Sequence, residues 1–285
     1  MKPLFTINSI IFPPLILIMT LTNTVFGADL GLITPTDFAK ENFWIILDGR
    51  PAKLYNKNHL PAALPFSWKD FTETDRDGVK YRILPPDKLA EKLGKLGISE
   101  KSKIVLYGDA DKSWGGEGWG AWLFIWLGHQ GPVRLLDGGI SVWKQAALPM
   151  EKGDQREIKK TAYSVDLKSG ANIMVQELLD HADQYTIIDV RSSLEWLRGH
   201  VPDAIHISWK KFYEGPNRRP LSSEQLKKML GGHGANLDKP VIYYCTGGIR
   251  SGYAWLVHEL SGLGMTKNFE GGIKAWNKLG PQSLK

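Results

Sequence analysis

The chain is almost without cysteine: in 285 residues there is one, Cys245. A single thiol cannot close a disulfide within the chain, so no covalent framework supports the fold and stability must come from apolar cores. Paired cysteines and a His-Glu-x-x-His motif are also missing. The seven histidines, at 59, 129, 181, 200, 206, 233 and 258, show no ligand spacing, so no metal is implied. No arginine-rich helix occurs, and the basic residues are scattered, as in "KKTAYSVDLKS" and "WKKFYEGPNRRP". The net charge of +6 therefore carries no signature of nucleic-acid binding and favours small anions only weakly. No cofactor is implied.

Long apolar runs are confined to the start. Lys2 is the only charge in the first 27 residues, an apolar segment runs from Ile10 to Leu21, and small residues follow at Gly27 and Ala28. That order reads as a secretory signal peptide over 1–27, cleaved after Gly27, and predicts an exported protein, periplasmic in a Gram-negative cell. The run is short for a membrane span and is broken by Pro13 and Pro14, so no membrane contact is expected after cleavage. With 42% apolar and 23% charged residues, the rest has the composition of a folded soluble protein.

The chain repeats itself. "WIILDGR" at 44–50 matches "TIIDVR" at 186–191, "HLPAALPFSW" at 59–68 matches "HVPDAIHISW" at 200–209, and "LLDGGISVWK" at 135–144 matches "NFEGGIKAWN" at 268–277. Asp48 and Asp189, His59 and His200, and Trp68 and Trp209 are each 141 apart, whereas Asp137 and Glu270, and Trp143 and Trp276, are 133 apart. Order is kept and loop lengths change, which predicts two copies of one domain. The expected boundaries are 28–149 for the first copy, a polar lysine-rich linker over 150–170, and 171–285 for the second. Each copy alternates β-branched strands with helical stretches such as "PDKLAEKLGKLG" and "SSEQLKKMLGG", whose glycines mark helix ends. The pattern predicts an α/β fold, each domain a mostly parallel sheet with helices on both faces.

Cys245 follows the apolar run "VIYY" and precedes the amphipathic run "SGYAWLVHEL". Ligand sites in parallel sheets lie there, beyond the strand ends and at the start of the next helix. Gly247 and Gly248 let the loop turn and aim amide N–H groups inward, the helix start adds positive potential, and Arg250 adds a charge. Such a cradle favours a thiolate over a thiol and makes a nucleophile. The bland alternative is an inert buried cysteine. Cysteine phosphatases use a similar loop but place the arginine six positions after the cysteine, whereas Arg250 follows Cys245 by five. Hydrolysis of a phosphate or arsenate ester remains a lesser alternative.

"DVR" at 189–191, "EWLRGHVPDAIHI" at 195–207, "CTGGIRS" at 245–251 and "EGGIKAW" at 270–276, in this order and spacing, resemble the rhodanese (sulfurtransferase) family. The likeness is to its tandem two-domain form and covers nearly all of the mature chain. The resemblance implies two rhodanese-like domains and a ping-pong reaction. Cys245 takes sulfur from a small anionic donor such as thiosulfate, becomes a persulfide, and passes the sulfur to a thiophilic acceptor, cyanide or a thiol. It implies that the loop from Thr246 through Gly247, Gly248, Ile249 and Arg250 to Ser251 holds the persulfide and the donor oxyanion. Asp189, with Arg191, would organise the loop from the neighbouring strand end or form a plain structural ion pair. His200 and Trp276 are landmarks of packing. A different reading is a sulfur carrier that docks an acceptor protein with little turnover.

The sequence departs from the tandem pattern in two places. Thr246 and the Arg-Ser ending resemble single-domain members. Glu195 stands where tandem enzymes carry an arginine. In the first copy Gly108 holds the cysteine position and the following "DADKSWGGEGW" is about four residues longer; it resembles the inactive half of tandem members, so that copy is expected to be non-catalytic and to shape the cleft, its tryptophans and glycines at 114–120 packing on their own domain or, as the lesser alternative, lining that cleft.

Overall fold

The computed structural model describes residues 29–153 and 158–280. The expected signal peptide lies outside the described residues. In the first domain the elements are β1 (Leu30–Ile33), α1 (Pro35–Phe38), β2 (Trp44–Asp48), α2 (Ala52–Lys57), β3 (Leu64–Pro65), β4 (Thr72–Thr74) and β5 (Lys80–Ile83). They continue with α3 (Pro86–Lys95), β6 (Lys103–Tyr107), α4 (Gly116–Trp126), β7 (Val133–Leu136) and α5 (Gly139–Gln145). The second domain runs β8 (Asn172–Ile173), α6 (Val175–His181), β9 (Thr186–Asp189), α7 (Ser193–Leu197), β10 (Ile205–His206), β11 (Tyr213–Glu214) and β12 (Arg219–Pro220). It ends with α8 (Ser223–Gly232), β13 (Val241–Tyr244), α9 (Ile249–Ser261), β14 (Thr266–Phe269) and α10 (Gly272–Leu279).

Element for element the second series restates the first. The sheets have equivalent orders, β1-β7-β6-β2-β3 and β8-β14-β13-β9-β10, and every strand pair within them is parallel. The two antiparallel hairpins, β4–β5 and β11–β12, stand outside these sheets. Strand periodicity explains the layers, because successive side chains leave opposite faces. Ile104 and Leu106 point into one core while Val105 and Tyr107 point into another. On β13, Val241 and Tyr243 divide from Ile242 and Tyr244 in the same way. Helices α3 and α4 cover one face of the first sheet, and α1, α2 and α5 the other. Both helix-stop glycines have a local cause with one correction: α3 ends before the left-handed Gly97, whereas α8 continues through Gly231 and Gly232 and stops before the left-handed Gly234.

The two domains share a core through α4 and α9, which are buried around nearly their whole circumference. Small residues let these helices touch backbone to backbone. A Cβ placed on Gly118 would lie 2.6 Å from Tyr253 Cα, and one on Gly252 would lie 2.8 Å from Trp119 Cα. The sequence 114–120 therefore builds the interface between domains and does not simply pack on its own, because its glycines are what the partner helix requires. In the linker, Thr161 N donates to Gly94 O (3.0 Å), Asp166 N to Leu127 O (3.0 Å) and Lys168 N to Trp126 O (2.8 Å), so residues 161–168 are strapped to the first domain.

Gly252→Ala is expected to lower unfolding free energy by about 1–3 kcal/mol, the usual cost of overpacking, measurable by urea denaturation. A pH dependence arises from Glu259 on α9, whose Oε1 is buried with no partner; burial raises its pKa from the ordinary 4.5 to about 8. The folded state thus prefers the protonated acid: this contribution is whole below the ordinary value and is lost as pH rises through about 8. The melting temperature should fall on moving from about pH 5 to about pH 9, and Glu259→Gln should flatten that slope.

Candidate active site

Strand β13 delivers Cys245 to the carboxyl edge of the second sheet, and α9 starts four residues later. Gly248 adopts φ +92°, a left-handed conformation that turns the loop into the helix. The first turn of an α-helix leaves its amide donors without intrahelical acceptors, so the N–H groups that open α9 surround the loop. From behind, the turn between β14 and α10 holds it: Ile273 N donates to Cys245 O (2.9 Å) and Lys274 N to Thr246 O (3.2 Å). A Cβ on Gly272 would collide with Cys245 O, which gives the "EGG" motif its physical reason.

Cys245 is 2% exposed. Ser251 Oγ lies 3.6 Å from its Sγ and donates to Asn268 Oδ1 at 2.6 Å, while Asn268 Nδ2 donates to Gly248 O at 3.1 Å. A serine hydroxyl has one proton, so with Asn268 taking it, Ser251 Oγ accepts from a thiol S–H; rotated, the same hydroxyl donates to a thiolate. Asn268 thus joins the site as a residue the sequence motifs did not single out.

Arg250 brings its charge to the loop but shares it. Nη1 donates to Glu195 Oε2 (2.8 Å) and Nη2 to Glu195 Oε1 (2.7 Å), while Nη2 also donates to Thr246 Oγ1 (2.7 Å), whose hydroxyl donates to Glu195 Oε1 (2.8 Å). The Arg250 hydrogen bonds hold the Glu195 carboxyl well below the usual carboxylate range, against the opposing effect of burial. Burial disfavours the Arg250 charge, but Glu195 and the adjacent Cys245 outweigh it and raise the guanidinium's pKa. Glu195 also closes the capping box of α7, accepting from Ser192 N (3.1 Å) and Ser192 Oγ (2.8 Å). Its position as the departure from the tandem pattern was the one sequence signal for it.

Asp189 and Arg191 lie one layer below. Arg191 donates Nε to both Asp189 oxygens (3.0 and 2.9 Å), Nη2 to Oδ2 (2.6 Å) and Nη2 to Gly199 O (2.7 Å). The first domain repeats the arrangement: Arg50 bonds Asp48 and reaches Asn58 O at 2.6 Å. The same pair geometry thus recurs in the domain that has no cysteine, and in the second domain it ties the end of β9 to Gly199, just beyond α7. His200 stacks on Trp196 at a centroid distance of 3.5 Å, and Trp276 is buried in the second domain's outer core.

The first domain supplies the other wall. Its hairpin β4–β5 lies on the loop: a Cβ on Gly247 would stand 2.6 Å from Tyr81 Cβ, Arg82 Nη2 pairs with Glu270 Oε2 at 3.2 Å, and Ile83 N donates to Glu270 Oε1 at 2.7 Å. Trp114 covers Arg250, its ring centroid 5.5 Å from Cζ. Reciprocally, the hairpin β11–β12 lies on the first domain's equivalent loop, with Arg218 on Asp109 (3.1 Å) and Asp111 (3.0 Å) and Arg219 on Asp137 (3.5 Å). That loop holds no nucleophile. The buried Glu117 carboxylate fills its cradle, accepting from Ala110 N (3.0 Å) and Ser113 Oγ (2.5 Å), and a Cβ on Gly108 would collide with it. Burial raises the Glu117 pKa. The 133-residue offset aligns Glu117 with Arg250, a signal legible in the sequence.

A cysteine-bearing loop between strand and helix, in the second of two matched parallel-sheet domains, defines the class. The family model for the rhodanese-like domain matches residues 36–146 and 174–279, and the chain belongs to that family with two copies of the domain. A protein of Saccharopolyspora erythraea provisionally named a thiosulfate sulfurtransferase is 26% identical over 277 residues, covering 87% of this chain and 93% of its own length. The sulfur carrier protein TtuD of Thermus thermophilus is 28% identical over 250 residues, covering 79% of this chain and 85% of its own. The crystal structure of SseA from Escherichia coli, a 3-mercaptopyruvate sulfurtransferase at 20% identity, superposes with a TM-score of 0.75 over 85% of this chain and 97% of that one, a likeness of fold.

Asp189→Asn and Asp48→Asn are each expected to cost about 3–5 kcal/mol of stability by leaving a buried arginine unpaired. Equal losses in urea unfolding mark the pair as structural; a loss at 189 alone would tie Asp189 to the loop.

Proposed function

We propose that the protein is a sulfurtransferase that carries sulfur as a persulfide on Cys245, taking it from a donor such as thiosulfate and giving it to a thiophilic acceptor, cyanide or a thiol. The observation that carries this reading is the placement of the chain's single thiol at the start of α9, within reach of Ser251 and beside Arg250. The Cys245 thiolate attacks the outer sulfur of thiosulfate; a new S–S bond forms, the old one breaks, and sulfite leaves with the bonding pair. The anionic outer sulfur of Cys245–S–S⁻ then lies among the amides of the loop and the first turn of α9, from Thr246 to Ser251, and the Ser251 hydroxyl turns toward it. Attack by the acceptor on that outer sulfur returns the thiolate.

A carrier role with little turnover is the second reading. It is favoured by the named sulfur carrier among the relatives and would have a protein as acceptor. The leader-like residues 1–27 support a place of action outside the cytoplasm, the periplasm in a Gram-negative cell. The phosphatase alternative is disfavoured by the five-residue spacing to Arg250 and by that arginine's commitment to Glu195.

The test is intact mass after exposure to thiosulfate, beside Cys245→Ser, followed by cyanide and a thiocyanate assay. Gain of one sulfur atom by the native protein alone, with its release on repeated turnover, is the expected result. Loading with negligible release would move the carrier reading ahead. If neither thiosulfate, mercaptopyruvate nor a persulfide loads sulfur, sulfur transfer at Cys245 is excluded.

A further inference from the structure

The arginines nearest the Cys245 loop are already engaged by carboxyl groups before any substrate arrives. Both terminal nitrogens of Arg250 are taken by Glu195, and Arg82 is paired with Glu270 at 3.2 Å and Asp75 at 3.6 Å. Arg191 is turned away onto Asp189. The Glu195 side chain, bonded to Thr246 and Arg250 of the loop, is still one-third exposed. Because its ionisation is held well below neutral by Arg250, that negative charge is present throughout the physiological range.

Beside these pairs lie aromatic and aliphatic side chains, with the Lys69 ammonium 5.7 Å from the Trp68 ring. Tyr81 lies on Gly247, and Trp68 meets Tyr81 edge-on at 5.8 Å. Trp114, 55% exposed, lies over Arg250, and Leu194, 59% exposed, adjoins Glu195 on α7. Tyr81 and Trp114 both hold left-handed backbone, φ +69° and +57°, an unfavourable conformation for such residues that the interdomain packing sustains.

We infer that the sulfur donor of this site is an organic persulfide of low charge, R–S–SH, in preference to thiosulfate, and that Glu195 and Trp114 set the preference. This rests on the sulfurtransferase reading and narrows its donor. A dianion entering here places its sulfonate beside the Glu195 carboxylate and competes for an arginine that is already bidentate, so like-charge repulsion opposes it. An alkyl or aryl R group removes its own apolar surface, and that of Trp114 and Tyr81, from water. The step balances without a further reactant. The Cys245 thiolate attacks the outer sulfur, the Sγ–S bond forms, the donor's S–S bond breaks, and the leaving R–S⁻ takes the proton from the transferred sulfur. The products are Cys245–S–S⁻ and R–SH.

The rate of sulfur loading on Cys245 is followed by quenched-flow intact mass with two probes, thiosulfate and butyl persulfide, in the native protein, Glu195→Gln and Trp114→Ala. The native protein should load from butyl persulfide at least about tenfold faster at equal concentration. Glu195→Gln, which keeps an acceptor for the α7 cap, should raise the thiosulfate rate about tenfold and so collapse the preference. Trp114→Ala should shrink the preference from the other side, by slowing butyl persulfide more than thiosulfate. Faster native loading from thiosulfate overturns the inference and leaves sulfur transfer intact. So does an equal change of both rates in both variants, the mark of a merely structural role. Loading from neither probe overturns the sulfurtransferase reading and this inference with it.

Discussion

The crossing of α4 and α9 is the contact on which the rest of the structure depends. Gly118 and Gly252 bring the two helix backbones together, and each helix begins at the strand-end loop of its own domain. Fixing the crossing therefore fixes both loops at once, and with them the hairpin that each domain lays over the other's loop. The Arg82–Glu270 and Arg219–Asp137 pairs are the same contact made twice across an approximate twofold relation. A domain without a nucleophile is in this way structurally necessary to the one that has it: Tyr81 and Trp114 reach the Cys245 loop only because the interface holds them there.

Much of this was legible in the residues. The repeat, the alternation of strand and helix, and the strand-loop-helix setting of Cys245 rest on local spacing, and local spacing survives in a single sequence. The "EGG" turn was visible as a recurring motif, although its reason, close passage of Gly272 over the Cys245 carbonyl, needs three dimensions. What could not be read was whatever depends on docking. Tyr81 lies more than 160 residues from the loop it covers, in a short hairpin with no repeating pattern to mark it. Trp114 sits in an insertion that could line the cleft or pack on its own domain, and only the docked helices decide between the two. Glu195 registered as a departure from a pattern, but its two-pronged grip on Arg250 depends on where α7 is set by the buried Asp189–Arg191 pair.

Charge is distributed according to the same logic. The Cys245 loop carries one guanidinium, which is shared between Glu195 and the adjacent Cys245, and it adds oriented backbone amides and one hydroxyl. Amide dipoles fixed by helix and glycine turn do not reorganise when charge appears, which is the condition under which they contribute most to stabilising it.

The Glu117 side chain makes the first domain's loop self-supporting. An acid of the protein itself occupies the cradle, accepting from Ala110 N and Ser113 Oγ, and a Cβ at 108 would collide with it. That loop therefore keeps its shape with an internal ligand and needs no bound anion to hold it, so the surface on which the β11–β12 hairpin rests is constant whatever occupies the Cys245 loop.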